Sequence, residues 1–392
     1  MKLTRVELRT SPIGLARRRL VGEVVFRDTP TQREEIWFDV PDALADQLSV
    51  TGNPWLACLL PLAVTLKEPL ELSLPVDPEL REGVEALMQV WKGWYPGVAE
   101  PVAIETDVLP AGTPDLTART GTFFSAGLDS FYTLLRHEPD GDAHHKLAID
   151  DLITIWGFDI PLENQPAFDR LSARNSAIAE ALGKELVPIA TNLRESSWQR
   201  TNWGRLGQAS ALAAVAYAIE SRFQRVLLPS SIPYKSSKPW GTHPLVDPLL
   251  STSRIDLRND GAVARRMAKA QSVAMSDLAM RELRVCWMGR SDSNCGHCEK
   301  CLRTLTVFEI LGLRDRCVSF PSDAWSLDAL AELRLRQDLD RGQMERVREL
   351  AVDRNRPDIV RAVDRSIRRY DTRRSLVKLA RTLRLRPPAS QG

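Results

Sequence analysis

Apolar and polar residues along this chain follow two different periods, and the change from one to the other divides it. Up to residue 118, short alternating stretches at 20–26, 35–40 and 70–74 predict strands. Apolar positions three and four apart over 78–94 predict a helix that closes on the turn Tyr95-Pro96-Gly97. This is the pattern of a small α+β domain. The stretch 110–119, PAGTPDLTAR, concentrates Pro, Gly and Thr and predicts a boundary. Beyond it, strand-like and helix-like segments alternate at 121–124, 130–136, 152–158, 167–182, 185–190, 206–222 and 226–229, which predicts an α/β fold with a parallel sheet covered on both faces. In such a sheet the ligand lies at the carboxyl ends of the strands. From residue 323 the pattern is helical only. The expected division is therefore an accessory domain at 1–118, a ligand-binding domain at 119–315 and a helical, basic extension at 316–392.

Composition narrows the class. The chain has 392 residues, with 53 Lys and Arg against 51 Asp and Glu, 43% hydrophobic and 27% charged, a globular balance rather than a disordered or fibrous one. A formal net charge of +2 is too small to make a polyanion the partner of the whole surface, so nucleic acid is not expected. The longest apolar run, 54–66, holds two prolines and falls short of the roughly 20 residues that span a bilayer. The first 22 residues alternate polar and apolar types and lack the apolar stretch of an export signal, so the expectation is a cytoplasmic protein with no membrane contact and reduced cysteines.

Two motifs carry chemistry. The first predicted strand runs into Ser125-Ala126-Gly127-Leu128-Asp129-Ser130, followed at once by an amphipathic helix. Small residues let backbone N–H groups approach an anion, the Ser125 and Ser130 hydroxyls add donors, and the helix offers the positive end of its dipole to a phosphate. Asp129 suits two tasks, capping the helix and holding Mg²⁺. The competing reading is an ordinary strand-to-helix turn, which favours the same residues. No G-x-x-x-x-G-K-[ST] occurs. The second motif is Cys286-x₈-Cys295-x₂-Cys298-x₂-Cys301, four thiolates at the spacing of a closed structural Zn²⁺ site, with Gly296 for the turn and an apolar helical stretch at 302–311 that the knuckle would pin against the sheet. An iron–sulfur cluster is the alternative, and it would colour the protein. Cys58 and Cys317 stand apart and read as buried hydrophobes.

The loop 125–130 resembles the SGGxDS signature of the PP-loop ATP pyrophosphatase superfamily, with Ala126 in place of the first glycine. Taken with Cys-x₈-Cys-Gly-x-Cys-x₂-Cys-Leu-Arg about 160 residues later, it resembles the 7-cyano-7-deazaguanine synthase (QueC-like) family over roughly residues 121–312. The resemblance implies a Rossmann-like fold of the adenine nucleotide alpha hydrolase kind. It also implies structural zinc and adenylation of a deazaguanine carboxylate, with AMP and pyrophosphate released and ammonia as nitrogen donor. On this chain it reaches Ser125, Gly127, Asp129 and Ser130 for ATP, with Ala126 and Leu128 between them, and the four cysteines for zinc. The chain adds about 120 residues before the matched core and about 80 after it. Enlarged proteins of this kind also resemble components of bacterial anti-phage systems, in which related chemistry modifies a protein partner.

Other candidates rest on position along the predicted strands. Gly157 and Asp159 end the strand 152–158, where the superfamily holds adenosine, and Ser230 and Ser231 end the strand 226–229. Lys235, Lys238 and His243, with Asp247 nearby, follow on one loop and are expected to meet phosphates or the acyl group; the alternative is a solvated turn. Arg194, Trp198, Trp203 and Arg205 offer an aromatic floor for a purine, or core packing, which the position before a helix favours. His144 and His145 lack partners at metal spacing and are expected to be exposed. Residues 360–392 carry ten Lys and Arg against two Asp, which admits a tRNA-modifying alternative; a solvated helix face explains the same charges. A non-catalytic nucleotide-binding scaffold is a further class. A protein partner at 1–118 and a homodimer complete the expectations.

Overall fold

The computed structural model describes residues 1–13, 16–286, 288 and 291–382. Among them the chain forms two compact units, Met1–Val273 and Ala274–Gly392.

The first unit begins with an antiparallel meander of β1 (Lys2–Thr10), β2 (Arg17–Phe26) and β3 (Thr29–Pro41). Strand alternation sends Leu20, Val24, Ile36, Phe38 and Val40 to one face and Val21 and Trp37 to the other. The first face is covered by α1 (Asn53–Leu66), which is the apolar run 54–66, buried from Asn53 through Val64. A helix apolar on all sides shows no 3.6-residue stripe, and this is why its type was not legible. Strand β4 (Leu70–Leu72), helix α2 (Pro78–Trp94) and strand β5 (Ile104–Glu105) complete this part. Asp77 caps α2, accepting from the backbone N–H groups of Glu79 and Leu80.

Next come β6 (Arg119–Phe123), α3 (Leu128–Arg136), β7 (Asp151–Trp156), α4 (Gln165–Ala181), β8 (Glu185–Thr191), α5 (Gln208–Tyr217) and β9 (Phe223–Pro229), close to the expected alternation. β10 (Asp256–Asp260) and α6 (Arg266–Val273) end the unit. The fold class is α/β, and the strand order is β10-β9-β6-β7-β8-β3-β2-β1-β4-β5 in one mostly parallel sheet. The five strands β10 to β8 are all parallel, and their order reverses between β6 and β9. Such a reversal opens a crevice at the carboxyl edge.

The division differs from the one expected at 118 and 315. β3 pairs antiparallel with β8 through Phe38 with Thr191 and Asp39 with Ala190. The Asn192 side chain extends the join, accepting from Trp37 N at 2.9 Å and donating to Glu35 O at 2.8 Å. Residues 1–118 thus continue the sheet instead of standing as a separate domain.

The second unit is helical: α7 (Asp277–Glu282), α8 (Glu299–Ile310), α9 (Leu327–Glu332), α10 (Asp338–Asp353) and α11 (Pro357–Thr382). Ion pairs Arg341–Asp371 and Arg348–Asp364 run between α10 and α11. Part of the basic stretch, 383–392, lies outside the described residues. No helix among the described residues is long and apolar enough to cross a membrane.

At Gly22 an added Cβ would sit 2.5 Å from the ring of the fully buried Trp55 of α1. Gly22→Ala is therefore expected to cost about 1–3 kcal/mol by overpacking, read as a lower urea midpoint with an unchanged slope. An unaltered midpoint would show that the meander does not press on α1 as described.

Candidate functional site

At the end of β6, the Phe124 N–H donates to Ile153 O at 2.8 Å, which fixes where the chain leaves the sheet. The bend that follows turns on Ala126, whose φ of +56° is in the left-handed region. Glycine takes this conformation without strain, whereas a Cβ there costs about 1–2 kcal/mol. The alanine therefore adopts the glycine geometry at a cost, and the bend is kept. Gly127 is the N-cap residue of α3 and no side chain caps that end. The Ser130 hydroxyl donates back to Gly127 O at 3.0 Å, while Ser125 is exposed and Leu128 is buried.

Asp129 lies in the first turn of α3. Its carboxylate accepts from Lys269 Nζ at 2.9 Å and lies 3.8 Å from Arg266 Nη1. Lys269 is 2% exposed, and its ammonium also donates to Ser230 O and lies 5.4 Å from the centre of the Tyr132 ring. A buried ammonium requires such partners, because stripping its water without replacing it costs several kcal/mol. One side chain thus ties the bend after β6 to the end of β9, across the reversal in strand order. Ser230 is itself fixed, its N–H donating to Asp260 O at 2.7 Å and its hydroxyl to Ile232 O at 3.0 Å. Asp260 accepts from Arg136 at 2.8 Å and pairs with His137 at 3.2 Å. Burial alone would raise its pKa, but these two partners hold it below the usual carboxylate range.

The structure therefore brings Asp129 and Ser230 together on Lys269, with Arg266 near Asp129, two cations that the sequence reading missed. The signal was a lysine beside Ala270 and one turn before Val273 on the buried side of α6. Gly157 has a φ of +100°, and a Cβ there would stand 2.0 Å from Thr191 O, so close approach to β8 accounts for the glycine. Asp159, Ser231, Lys235 and Lys238 are exposed, as are His144 and His145.

His243 is nearly buried within its own loop. Its Nδ1 accepts from Leu245 N–H at 3.0 Å, its Nε2 is bonded to the Ser237 hydroxyl, and burial lowers its pKa. Asp247, wholly buried, accepts from His243 N–H at 2.8 Å and from Asn259 Nδ2 at 2.7 Å. Burial pushes it up to about 7, against the two hydrogen bonds.

In the second unit, the sulfur atoms of Cys286, Cys295, Cys298 and Cys301 all lie within 4.8 Å of one another. Two of the separations are 3.9 Å, far too long for a disulfide and close to the roughly 3.8 Å edge of a tetrahedron with metal–sulfur bonds of 2.3 Å. Cys298 is the N-cap of α8 and Cys301 lies in its first turn. Gly296, at φ +79°, makes the turn between Cys295 and Cys298. Asn294, buried, accepts from the N–H groups of Val285 and Cys286 and donates to the carbonyls of Leu283 and Ser319, so it clamps the first ligand to the rest. The bond to Cys286 leads in raising the Cys298 thiol to about 12, and Cys301 is also shifted upward. Packed thiols resist ionising together unless a cation compensates them. The donor set fits a tetrahedral metal such as zinc, and four protein ligands leave no open position for water. No protein-family model, curated protein or solved structure matches the chain.

Cys298→Ser is expected to reduce bound zinc from about one per chain to under one tenth of that, and to lower the unfolding temperature of the helical unit. Full retention of metal by the variant would refute a four-thiolate centre. For Asp247, the folded pKa of about 7 exceeds an unfolded value near 3.9, so the folded chain binds this proton more tightly. Its stabilising contribution is complete below about pH 4 and is lost as pH rises through 7. Asp247→Asn should flatten the fall in stability between pH 5 and pH 8, measured by urea unfolding; an identical pH slope in both proteins would contradict the assignment.

Proposed function

We propose that the chain is an ATP-dependent enzyme of the PP-loop type. On this reading it adenylates a carboxylate of the 7-deazaguanine kind and passes the acyl group to ammonia or another amine, releasing AMP and pyrophosphate. One observation carries the reading: the buried Lys269 ammonium joins Asp129 to Ser230 where the strand order reverses, beside a helix N-terminus that no side chain caps.

The chemistry explains why these groups would be needed. A carboxylate is a poor electrophile. Its oxygen attacks the α-phosphorus of ATP, the bond to the β-phosphate oxygen breaks, and pyrophosphate leaves with the electron pair. An amine then attacks the acyl carbon and expels AMP. The first-turn N–H groups of α3 would face the phosphate chain, and Lys269 would offset the charge that develops on the leaving pyrophosphate. Mg²⁺, when bound, would supply charge neutralisation across the phosphates, with Asp129 as its carboxylate. Asp129 would hold the metal, and the Lys269 ammonium would add a second positive charge beside it. The cysteine centre would hold zinc in a structural role only.

Metal-loaded protein supplied with MgATP, an aromatic carboxylate and ammonia is expected to form AMP and pyrophosphate in equal amounts. Lys269→Met should lower that rate by about 10²–10³-fold with the zinc content unchanged, and Lys269→Arg should fall between. Formation of ADP and phosphate, or an undiminished rate in Lys269→Met, would contradict the proposal.

A further inference from the structure

We infer that the last two turns of α11, residues 375–382, dock the chain on an anionic lipid surface, lying along it with leucines toward the acyl chains and cations at the phosphates. This surface belongs to the second unit and is independent of the nucleotide chemistry proposed above.

The place follows from how α10 and α11 pair. Arg348 donates to Asp364 at 2.6 Å and Arg341 to Asp371 at 2.7 Å, while Asp338, the first residue of α10, accepts from Tyr370 at 2.9 Å and from Arg374. The partners run in opposite order along the two helices, so these are antiparallel and α10 gives out opposite Arg374. Helix α11 continues to Thr382. At 1.5 Å per residue, the overhang is about 12 Å long. Before it, Ile359, Val363, Ile367 and Tyr370 are buried; within it, Leu376 is 61% exposed, Leu379 56% and Val377 39%. A helix packed on its neighbour thus ends by presenting apolar side chains to water.

Three exposed apolar residues do not identify a partner, but the charges around them do. Residues 372–386 hold Arg373, Arg374, Lys378, Arg381, Arg384 and Arg386 and no Asp or Glu. Arg374 is paired with Asp338, which leaves the rest of the segment strongly cationic. At 3.6 residues per turn, positions 376 and 379 share one side of the helix, and positions 374, 378 and 381 fall on the opposite side. Apolar residues on one side and cations on the other are the pattern of a helix that lies in the plane of a bilayer surface.

The other occupants fit less well. A second copy of the chain would set one cationic segment against another. A nucleic acid would take the cations and leave the leucines in water. A specific protein interface needs about 800 Å² and 20–30 residues on each side, far more than an overhang of two turns offers. A bilayer needs no shape complementarity: the leucines enter the boundary between headgroups and acyl chains, and each cation near an anionic surface strengthens binding about fivefold. The expectation of no membrane contact rests on apolar runs too short to span, and such runs bear on crossing a bilayer, not on lying against one.

Vesicle flotation with the full, metal-loaded chain tests this, using phosphatidylcholine vesicles and vesicles in which about a third of the lipid is phosphatidylglycerol. The anionic vesicles are expected to bind the chain at least about tenfold more tightly than the neutral ones, and less so as salt is raised. Leu376→Ser combined with Leu379→Ser should weaken that binding about tenfold. Lys378→Glu combined with Arg381→Glu should reduce it to the level of neutral vesicles. Both variants should keep the zinc content of the native chain, which shows that the helical unit is folded. Equal binding to the two kinds of vesicle, binding to neither, or full binding in the leucine variant would overturn the inference. Retention of a single-stranded RNA while anionic vesicles stay free would overturn it in favour of a nucleic acid. A dimer at sedimentation equilibrium that the leucine variant loses, with vesicles again free, would overturn it in favour of a second copy.

Discussion

A lysine ammonium buried between a carboxylate and a backbone carbonyl is the constraint that ties together the carboxyl edge of the first unit's sheet. Lys269 reaches from α6 to Asp129 in the first turn of α3 and to Ser230 at the end of β9. An unpaired ammonium at that depth would be strongly destabilising, so the three elements are held in one arrangement. The proposed chemistry would draw on the same interaction, with Lys269 meeting phosphate charge beside Asp129.

The second constraint is the join between β3 and β8. Parallel pairs give the sheet its carboxyl edge, but the antiparallel pairing at Thr191 and Ala190 brings the N-terminal strands against the segment that carries Arg194. Glu34 of β3 accepts from Ser197 N–H at 2.8 Å, and Asn192 is bonded to both Trp37 and Glu35. The N-terminal strands therefore buttress the loop after β8. This gives residues 1–118 a physical task within the sheet.

Local chemistry was legible in the sequence, and pairing between distant segments was not. The four cysteines could be read because their ligand atoms come from sixteen consecutive positions, and the strand–bend–helix at 121–136 could be read for the same reason. The positive φ of Ala126 was hidden, since alanine does not advertise a left-handed bend. β1 carries polar residues at most exposed positions and α1 carries apolar ones on every side, so neither shows the period expected of its type. The β3–β8 join, the Lys269 contacts and the Asn294 clamp all link residues whose partnership no local pattern records. Trp198 and Trp203, five residues apart, pack edge to face with ring centres 6.1 Å apart, Trp198 fully buried and Trp203 half-buried, a difference that no local pattern records.

The central claim is that the bend at 125–130, braced by Lys269, binds the phosphates of a nucleotide. Isothermal titration of folded, metal-loaded protein with ATP and Mg²⁺, beside the same titration of Lys269→Met, tests it most directly. The account predicts saturable binding at one site per chain that is sharply weakened in the variant. Absence of heat with the native protein, or equal affinity in the two, would contradict it.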